Sequence, residues 1–427
     1  MSKSIVGTAS IYAIGSLITQ ALNFLAQIVL MRSLSLADYG YYGLSFEVLI
    51  LLQMVVGGAF RNFYLQLFRN ESADVNNLTY YQISNGSLYI GLFSILLYFL
   101  YGVGFIISIS LTLSFILTSL SLPLQTKMLA DNRRVVLIVK DILTSVVSVM
   151  TIFVTVKLMR LPVTQVVIVQ LIPAVFVSLT YIYRYQKNIF KEFTLNAFYK
   201  YAKFKYEPIL ITFILVFLVN SLHNKLGILY IKHFSELSVL AIYIAAFKFI
   251  NPTLFIQSSL VSAYMPRFIN DKNFRFDHKV FLIFFIPGLA VTLALYFLFP
   301  YVISFLNLTL YTNTYSLIKI GTWFILVVFI YGPMSNYISV SGGQKFILIA
   351  NCFAFSLYLV AALITGVFLT ENALALGIVF CFILAECLIG FFYYLYLAKK
   401  KMYISFLFPF SLVMILSIST SIFINII

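Results

Sequence analysis

Acidic residues are scarce in this chain, 13 Asp and Glu against 28 Lys and Arg in 427 residues, and charged residues of both signs make up only 10% of it. A soluble domain carries roughly a quarter charged residues, so a water-facing surface is excluded for most of the sequence. Histidine is also rare: His223, His233 and His278 lie far apart, and no HExxH, GxSxG, Walker or paired-carboxylate motif accompanies them. Catalysis therefore has no visible home, and neither an enzyme nor a bound metal or cofactor is expected. Cys352, Cys381 and Cys387 fall in apolar runs without metal-ligand spacing and read as packing residues. Long loops are missing on one side of the chain, where every connection is under about 15 residues. No extracytoplasmic domain is expected, unlike the large outer loop of membrane polymerases and ligases that act on lipid-linked sugars.

What is present is hydrocarbon. Apolar residues make up 62% of the chain, and the mean hydropathy is +1.02. A membrane span needs about 20 apolar residues, and thirteen such runs can be drawn: 7–30, 39–60, 84–101, 105–125, 142–156, 163–183, 208–231, 239–265, 281–301, 317–341, 346–369, 373–398 and 404–427. The first is too long for the apolar region of a signal peptide and lacks a cleavage site after it, so it is expected to stay as an anchor.

Basic residues fall in alternate gaps between these runs. Lys3, Arg61, Arg69, Lys127, Arg133, Arg134 and Lys140 lie on one side, followed by six basic residues over 184–205, four over 267–279, Lys345, and Lys399 to Lys401. The opposite side receives only Arg32, Lys157, Arg160 and Lys232. By the positive-inside rule the amino terminus is cytoplasmic. The net charge of +15 is thereby explained by topology and anionic headgroups, and nucleic acid is not an expected partner. Lys225, Lys248 and Lys319 remain within or at the edge of spans.

The longest connection, 184–207, is basic and aromatic and separates the first six spans from the rest. Offset by 201 positions, Tyr42 meets Tyr243, Asn23 meets Asn224 and Glu47 meets Lys248. With the same order of spans and charged loops in each half, this reads as a parallel repeat, a transporter plan in which substrate binds where the halves meet. The expected fold is all-α: two six-helix lobes, 1–183 and 208–398, related by a pseudo-two-fold axis along the membrane normal, with a cytoplasmic linker at 184–207 and an extra apolar helix within 399–427.

RSLSLADYGYYGL at 32–44, GGAFRN at 57–62, KFKYEP at 203–208, VLAIYIAAFKF at 239–249, MPRF at 265–268, SGGQKF at 341–346, and the last core span with Gly377 and Glu386 together resemble the polysaccharide-transporter branch of the multidrug, oligosaccharidyl-lipid and polysaccharide exporter superfamily. Length and pattern are most similar to its bacterial O-antigen flippases, often called Wzx. The resemblance covers the first 400 residues or so in order. It implies a V-shaped pair of lobes in the bacterial inner membrane that moves undecaprenyl-pyrophosphate-linked oligosaccharide to the periplasmic leaflet. Partners so implied are that lipid-linked cargo, membrane lipids and other proteins of polysaccharide assembly. The thirteenth run departs from the family's twelve or fourteen spans.

Such cargo demands cations and hydrogen-bonding groups at bilayer depth, because neither pyrophosphate nor unpaired hydroxyls cross hydrocarbon unaided. Lys248, deep in the eighth span and four residues before Pro252, is the first candidate for an anion site; it could instead be an outer-interface lysine on a headgroup. Pro252 lacks the amide that would satisfy the carbonyl of residue 248 and is a candidate hinge. Glu47 is the counterpart of Lys248 in the repeat and is expected to pair with it when cargo is absent. Arg61, after Gly57 and Gly58, is placed to meet an incoming phosphate bidentately, or serves as an ordinary anchor. Arg32 reads as an outer interfacial anchor or a further cation for cargo. Lys225 shares the seventh span with Asn220, His223 and Asn224, and positions 220, 223 and 224 lie on one helical face. That face either lines a cleft opposite Asn23 and Gln27 or bonds helices together. Glu386 has no basic residue within a turn; it is either a packed acid or, with Glu47, a coupling site for protons or sodium. Tyr39, Tyr41 and Tyr42 could stack on sugar faces.

The reading is a flippase for O-antigen or related units by alternating access. A cation-coupled exporter of drugs or other amphiphiles is the alternative within transport. A membrane glycan polymerase or glycosyltransferase is the alternative from another class.

Overall fold

The computed structural model describes residues 2–70, 74–131, 133–186, 208–270, 274–400, 405 and 407–426, and among them every long element is a helix and no β-strand forms. Twelve helices are long and apolar enough to cross a membrane. They carry the second to thirteenth expected spans, and the first lies within α1, Ser2–Ser33. The chain is an all-α, polytopic membrane protein. It forms two compact units, Met1–Lys225 and Leu226–Ile427, and the division falls inside the helix Pro208–Phe234. The linker expected over 184–207 lies outside the described residues from 187 onward.

In the first unit α2, Leu36–Leu52, runs through a π turn at Gln53–Gly57 into α3, Gly58–Asn70. Next come α4, Val75–Tyr81, a second π turn at Gln82–Gly86, and α5, Ser87–Tyr101. They are followed by α6, Phe105–Ser119, α7, Leu122–Ala130, α8, Arg134–Ile152 with a third π turn at Phe153–Leu158, and α9, Val163–Tyr185. Local chemistry sets the ends. Ser35 caps α2, accepting from the Asp38 amide at 3.1 Å and donating to its carboxylate at 2.7 Å, which satisfies an amide the helix leaves open. Gly102, at φ 59°, closes α5 in the left-handed region.

A π turn fits an extra residue into a turn and marks functional sites more often than chance. The one at Gln82–Gly86 folds the Gln82 side chain back across the backbone, so a Cβ on Gly86 would lie 2.1 Å from Gln82 Nε2. Held there, Gln82 Oε1 accepts from Tyr64 at 2.7 Å and Nε2 donates to Ser119 at 3.2 Å.

The second unit holds the end of α10, Pro208–Phe234, then α11, Leu237–Ile250, a 3-10 turn at Asn251–Thr253, and α12, Leu254–Asn270. The rest is α13, His278–Phe305, a 3-10 turn at Thr309–Tyr311, α14, Thr314–Val340, α15, Gln344–Phe368, α16, Glu371–Lys399 and α17, Leu407–Ile426. Its core sits on α14 and α16, the two most buried spans. Outer helices instead present side chains such as Phe305 and Phe368 to their surroundings, as lipid-facing helices do.

The repeat recurs in local structure. Asp74 caps α4 through the Asn77 amide, and Asp277 caps α13 through the Val280 amide, positions 203 residues apart. The second span of each unit is broken at a similar place, by the π turn at Gln53–Gly57 in one and by the 3-10 turn over Pro252 in the other.

Candidate functional site

Placing charge inside apolar helices is costly, about 2.5–3.5 kcal/mol for one Arg, Lys or Asp at a helix centre by insertion scales, so a cluster needs a reason. The first unit contains one. A cavity of about 570 Å³ is lined by Thr19 and Asn23 of α1, Gln53 and Gly57 of the π turn, Gly58 and Arg61 of α3, Thr118 and Ser119 of α6, Gln125 of α7, and Lys140, Asp141, Thr144, Ser145 and Ser148 of α8, with Ser178 of α9. Its size lies within the roughly 300–1,000 Å³ range of small-molecule sites.

Three charges face this space. Lys140 Nζ lies 4.0 Å from Asp141 Oδ1, their side chains 12% and 59% exposed. Arg61 of α3 attracts the same carboxylate. Lys140 also lies 6.0 Å from the centre of the Tyr181 ring. With two cations against one carboxylate, the cavity is positive. Lys140 is five residues past the start of the span Val135–Leu158, about 8 Å along the helix, and the lining continues along α8 to Ser148, near the middle of that span.

The fifth span therefore begins earlier than the sequence suggested, because helix formation carries Lys140 and Asp141 into the run expected to start at 142. Asp141 was missed for that reason. Its signal was the stretch VVLIVKDILT, in which a Lys-Asp pair is flanked by apolar residues on both sides.

Glu47 lies elsewhere in this unit, 4% exposed, with Lys225 Nζ at 2.5 Å from its carboxylate. Both side chains are nearly shut from solvent, at 5% and 13% exposed, so the pair neutralises two charges that could not otherwise stay buried. The Lys248 expected as its partner is half-buried in the second unit, three residues before the 3-10 turn that contains Pro252.

The remaining expected residues fall into separate settings. Asn23 joins Arg61 at the cavity. Gln27 accepts from the fully buried Tyr39 hydroxyl at 3.0 Å, an interhelical bond that takes Tyr39 away from any sugar-stacking role, and Tyr42 is buried as well. On α10, His223 is buried, Asn220 is half-buried, and Asn224 is exposed and donates to the Asn220 carbonyl at 2.8 Å. Arg32 is exposed in the last turn of α1. Glu386, 3% exposed on α16, accepts from the Tyr331 hydroxyl. Tyr331 packs on Tyr393 at 5.8 Å, and Tyr393 donates to Asn351 at 2.9 Å.

With that geometry in place, solved structures identify the fold. The inward closed lipid II flippase MurJ matches 97% of this chain over 97% of its own length, at a TM-score of 0.69 and 15% identity. An inward-facing multidrug resistance MATE family transporter of the MOP superfamily matches 90% of this chain over 95% of its own, at 0.63 and 14%. A MOP superfamily transporter from Pyrococcus furiosus, described as having a binding pocket of reverse polarity that suggests a different function, matches 93% over 96%, at 0.59 and 14%. This chain shares the fold of these proteins. No protein-family model matches the sequence, and no curated protein matches it.

Proposed function

We propose that this protein is a flippase for undecaprenyl-pyrophosphate-linked O-antigen or related oligosaccharide units, resident in the bacterial inner membrane with its amino terminus in the cytoplasm and working by alternating access. The observation that carries this reading is the positive, hydroxyl-lined cavity of the first unit, built from Arg61, Lys140 and a ring of neutral hydrogen-bonding groups. A phosphate needs cationic donors, which Arg61 and Lys140 supply. The sugars need hydrogen bonds to replace those lost to water. The fold shared with a lipid II flippase supports a lipid-linked cargo, and the motifs quoted above support the polysaccharide branch. Other proteins of polysaccharide assembly are then expected partners, and coupling to protons or sodium through Glu47 or Glu386 belongs to the same proposal.

The fold shared with MATE transporters favours a second reading, a cation-coupled exporter of drugs or other amphiphiles. Two cations against one carboxylate make the first-unit cavity a poor host for cationic cargo. Proteoliposomes separate the two. The flippase reading expects an undecaprenyl-pyrophosphate oligosaccharide to exchange leaflets faster than in protein-free vesicles and ethidium to stay put; ethidium transport without exchange of the sugar lipid overturns it.

A further inference from the structure

A cavity suited to phosphate gains nothing from a carboxylate, yet the first-unit cavity holds one. Asp141 stands in its lining with its side chain 59% exposed and Lys140 Nζ at 4.0 Å, and Arg61 of α3 attracts it as well. Both cations of the cavity thus share an internal counter-ion. Among the described residues, the other titratable group coupled to Asp141 is Tyr181 of α9, a phenol that is neutral in acid solution. The remaining walls supply groups such as Thr19, Asn23, Gln53, Thr118 and Gln125, none of which titrates. Asp141 is also open to water, whereas the Glu47 carboxylate is shut in against Lys225 at 5% exposed.

An anion that settles on Arg61 and Lys140 brings a like charge beside this carboxylate. Like charge favours the protonated form of a carboxyl group. The effect is reciprocal, so a proton on Asp141 strengthens anion binding by the factor with which the anion strengthens proton binding. We infer that Asp141 is the counter-ion of the empty cavity and takes up a proton when an anion occupies Arg61 and Lys140, so that anion and proton bind together. The inference rests on the proposed function and deepens it, because it gives the cavity a proton-coupling residue of its own. A head that moves with this proton carries one negative charge fewer through the membrane. With Asp141 ionised, well above the ordinary carboxylate value of about 3.9, anion affinity is lowest. It rises as pH falls and Asp141 protonates.

The test uses the full-length protein in phosphatidylcholine nanodiscs, titrated by calorimetry with sulfate, which unlike phosphate keeps a constant charge from pH 4.5 to pH 7.5. For a coupling of about tenfold, sulfate is expected to bind about threefold more tightly at pH 4.5 than at pH 7.5 and to take up about half a proton per ion at pH 4.5. Parallel titrations in buffers of different ionisation heat read the uptake. Asp141→Asn is expected to bind sulfate about tenfold more tightly than the unmodified protein at pH 7.5, without the rise at pH 4.5 or the proton uptake, and Asp141→Glu to restore both. Histidines titrate in the same window, and the Asn variant, which keeps them, isolates the part due to Asp141. Should that variant fail to fold, proton uptake by the unmodified protein decides alone. Equal sulfate affinity with and without the carboxylate at pH 7.5, or no proton uptake at pH 4.5, overturns the inference and leaves the flippase reading standing. No sulfate binding at all, or binding unchanged in the Arg61→Gln, Lys140→Gln double variant, removes the anion site and overturns both.

Discussion

The two units hold cavities of nearly equal size and opposite chemistry. The first unit's space of about 570 Å³ carries Arg61, Lys140, Asp141 and a run of hydroxyls and amides. The second unit's groove of about 550 Å³, between α15, α16 and α17, is lined by residues such as Leu357, Val360, Leu384, Leu412 and Val413. In a chain dissolved in lipid an apolar groove requires no explanation, because acyl chains fill it as readily as side chains do. A charged cavity has to be maintained against a desolvation cost. The proposed function rests on the charged cavity of the first unit, even though the two units share span order and helix caps. The backbone differs in parallel: π turns widen three spans of the first unit, whereas the second span of the other unit is tightened into a 3-10 turn.

Breaking the buried pair of the first unit should have the largest effect. Glu47→Gln or Lys225→Met leaves one buried charge without its partner, a loss of about 3–5 kcal/mol, seen as a fall in thermal midpoint and folded yield in detergent. The exchange Glu47→Lys with Lys225→Glu should recover much of it; no recovery means that the pair is not what holds these residues. Next is Gly86→Ala, whose new Cβ meets the Gln82 amide. Displacing Gln82 orphans the buried Tyr64 hydroxyl, about 1–3 kcal/mol of stability, and thermal unfolding of the variant measures it. An unchanged midpoint would show that the π turn is not locked as described.

Smaller effects are expected in the second unit. Glu386→Gln keeps an acceptor for Tyr331, so stability should change by no more than about 1 kcal/mol, whereas Glu386→Leu should cost more by leaving that hydroxyl unpaired. A large loss of transport in Glu386→Gln with stability intact would instead give the second unit an ionic role and weaken the contrast. Smallest of all is Val360→Ala in the apolar groove. Its lipid-facing side chain is 51% exposed, and surface changes of this kind stay within about 0.5 kcal/mol.

Much of the architecture was legible because apolar runs of span length admit one interpretation, and Pro252 marked the break in the eighth span. Charged residues near span ends were not legible in the same way. Lys140 and Asp141 read as the boundary of a loop, since sequence shows charge but not the helix that continues beneath it. The repeat assigned Glu47 and Lys248 equivalent positions along their spans, yet says nothing of which way each side chain turns about its helix. Lys225, which the sequence placed on the seventh span without a partner, is found paired with Glu47. The π turns had no clear herald beyond Gly57, Gly58 and Gly86, because the extra residue in a turn is set by packing.

Leaflet exchange of a fluorescent undecaprenyl-pyrophosphate oligosaccharide in proteoliposomes, comparing the unmodified protein with the Arg61→Gln, Lys140→Gln double variant at matched thermal stability, tests the central claim most directly. The account predicts that the double variant loses tenfold or more of the rate, about 1.4 kcal/mol per decade, while the protein stays folded. Equal rates in the two proteins would contradict it, since the positive cavity of the first unit would then have no part in carrying the head of the lipid.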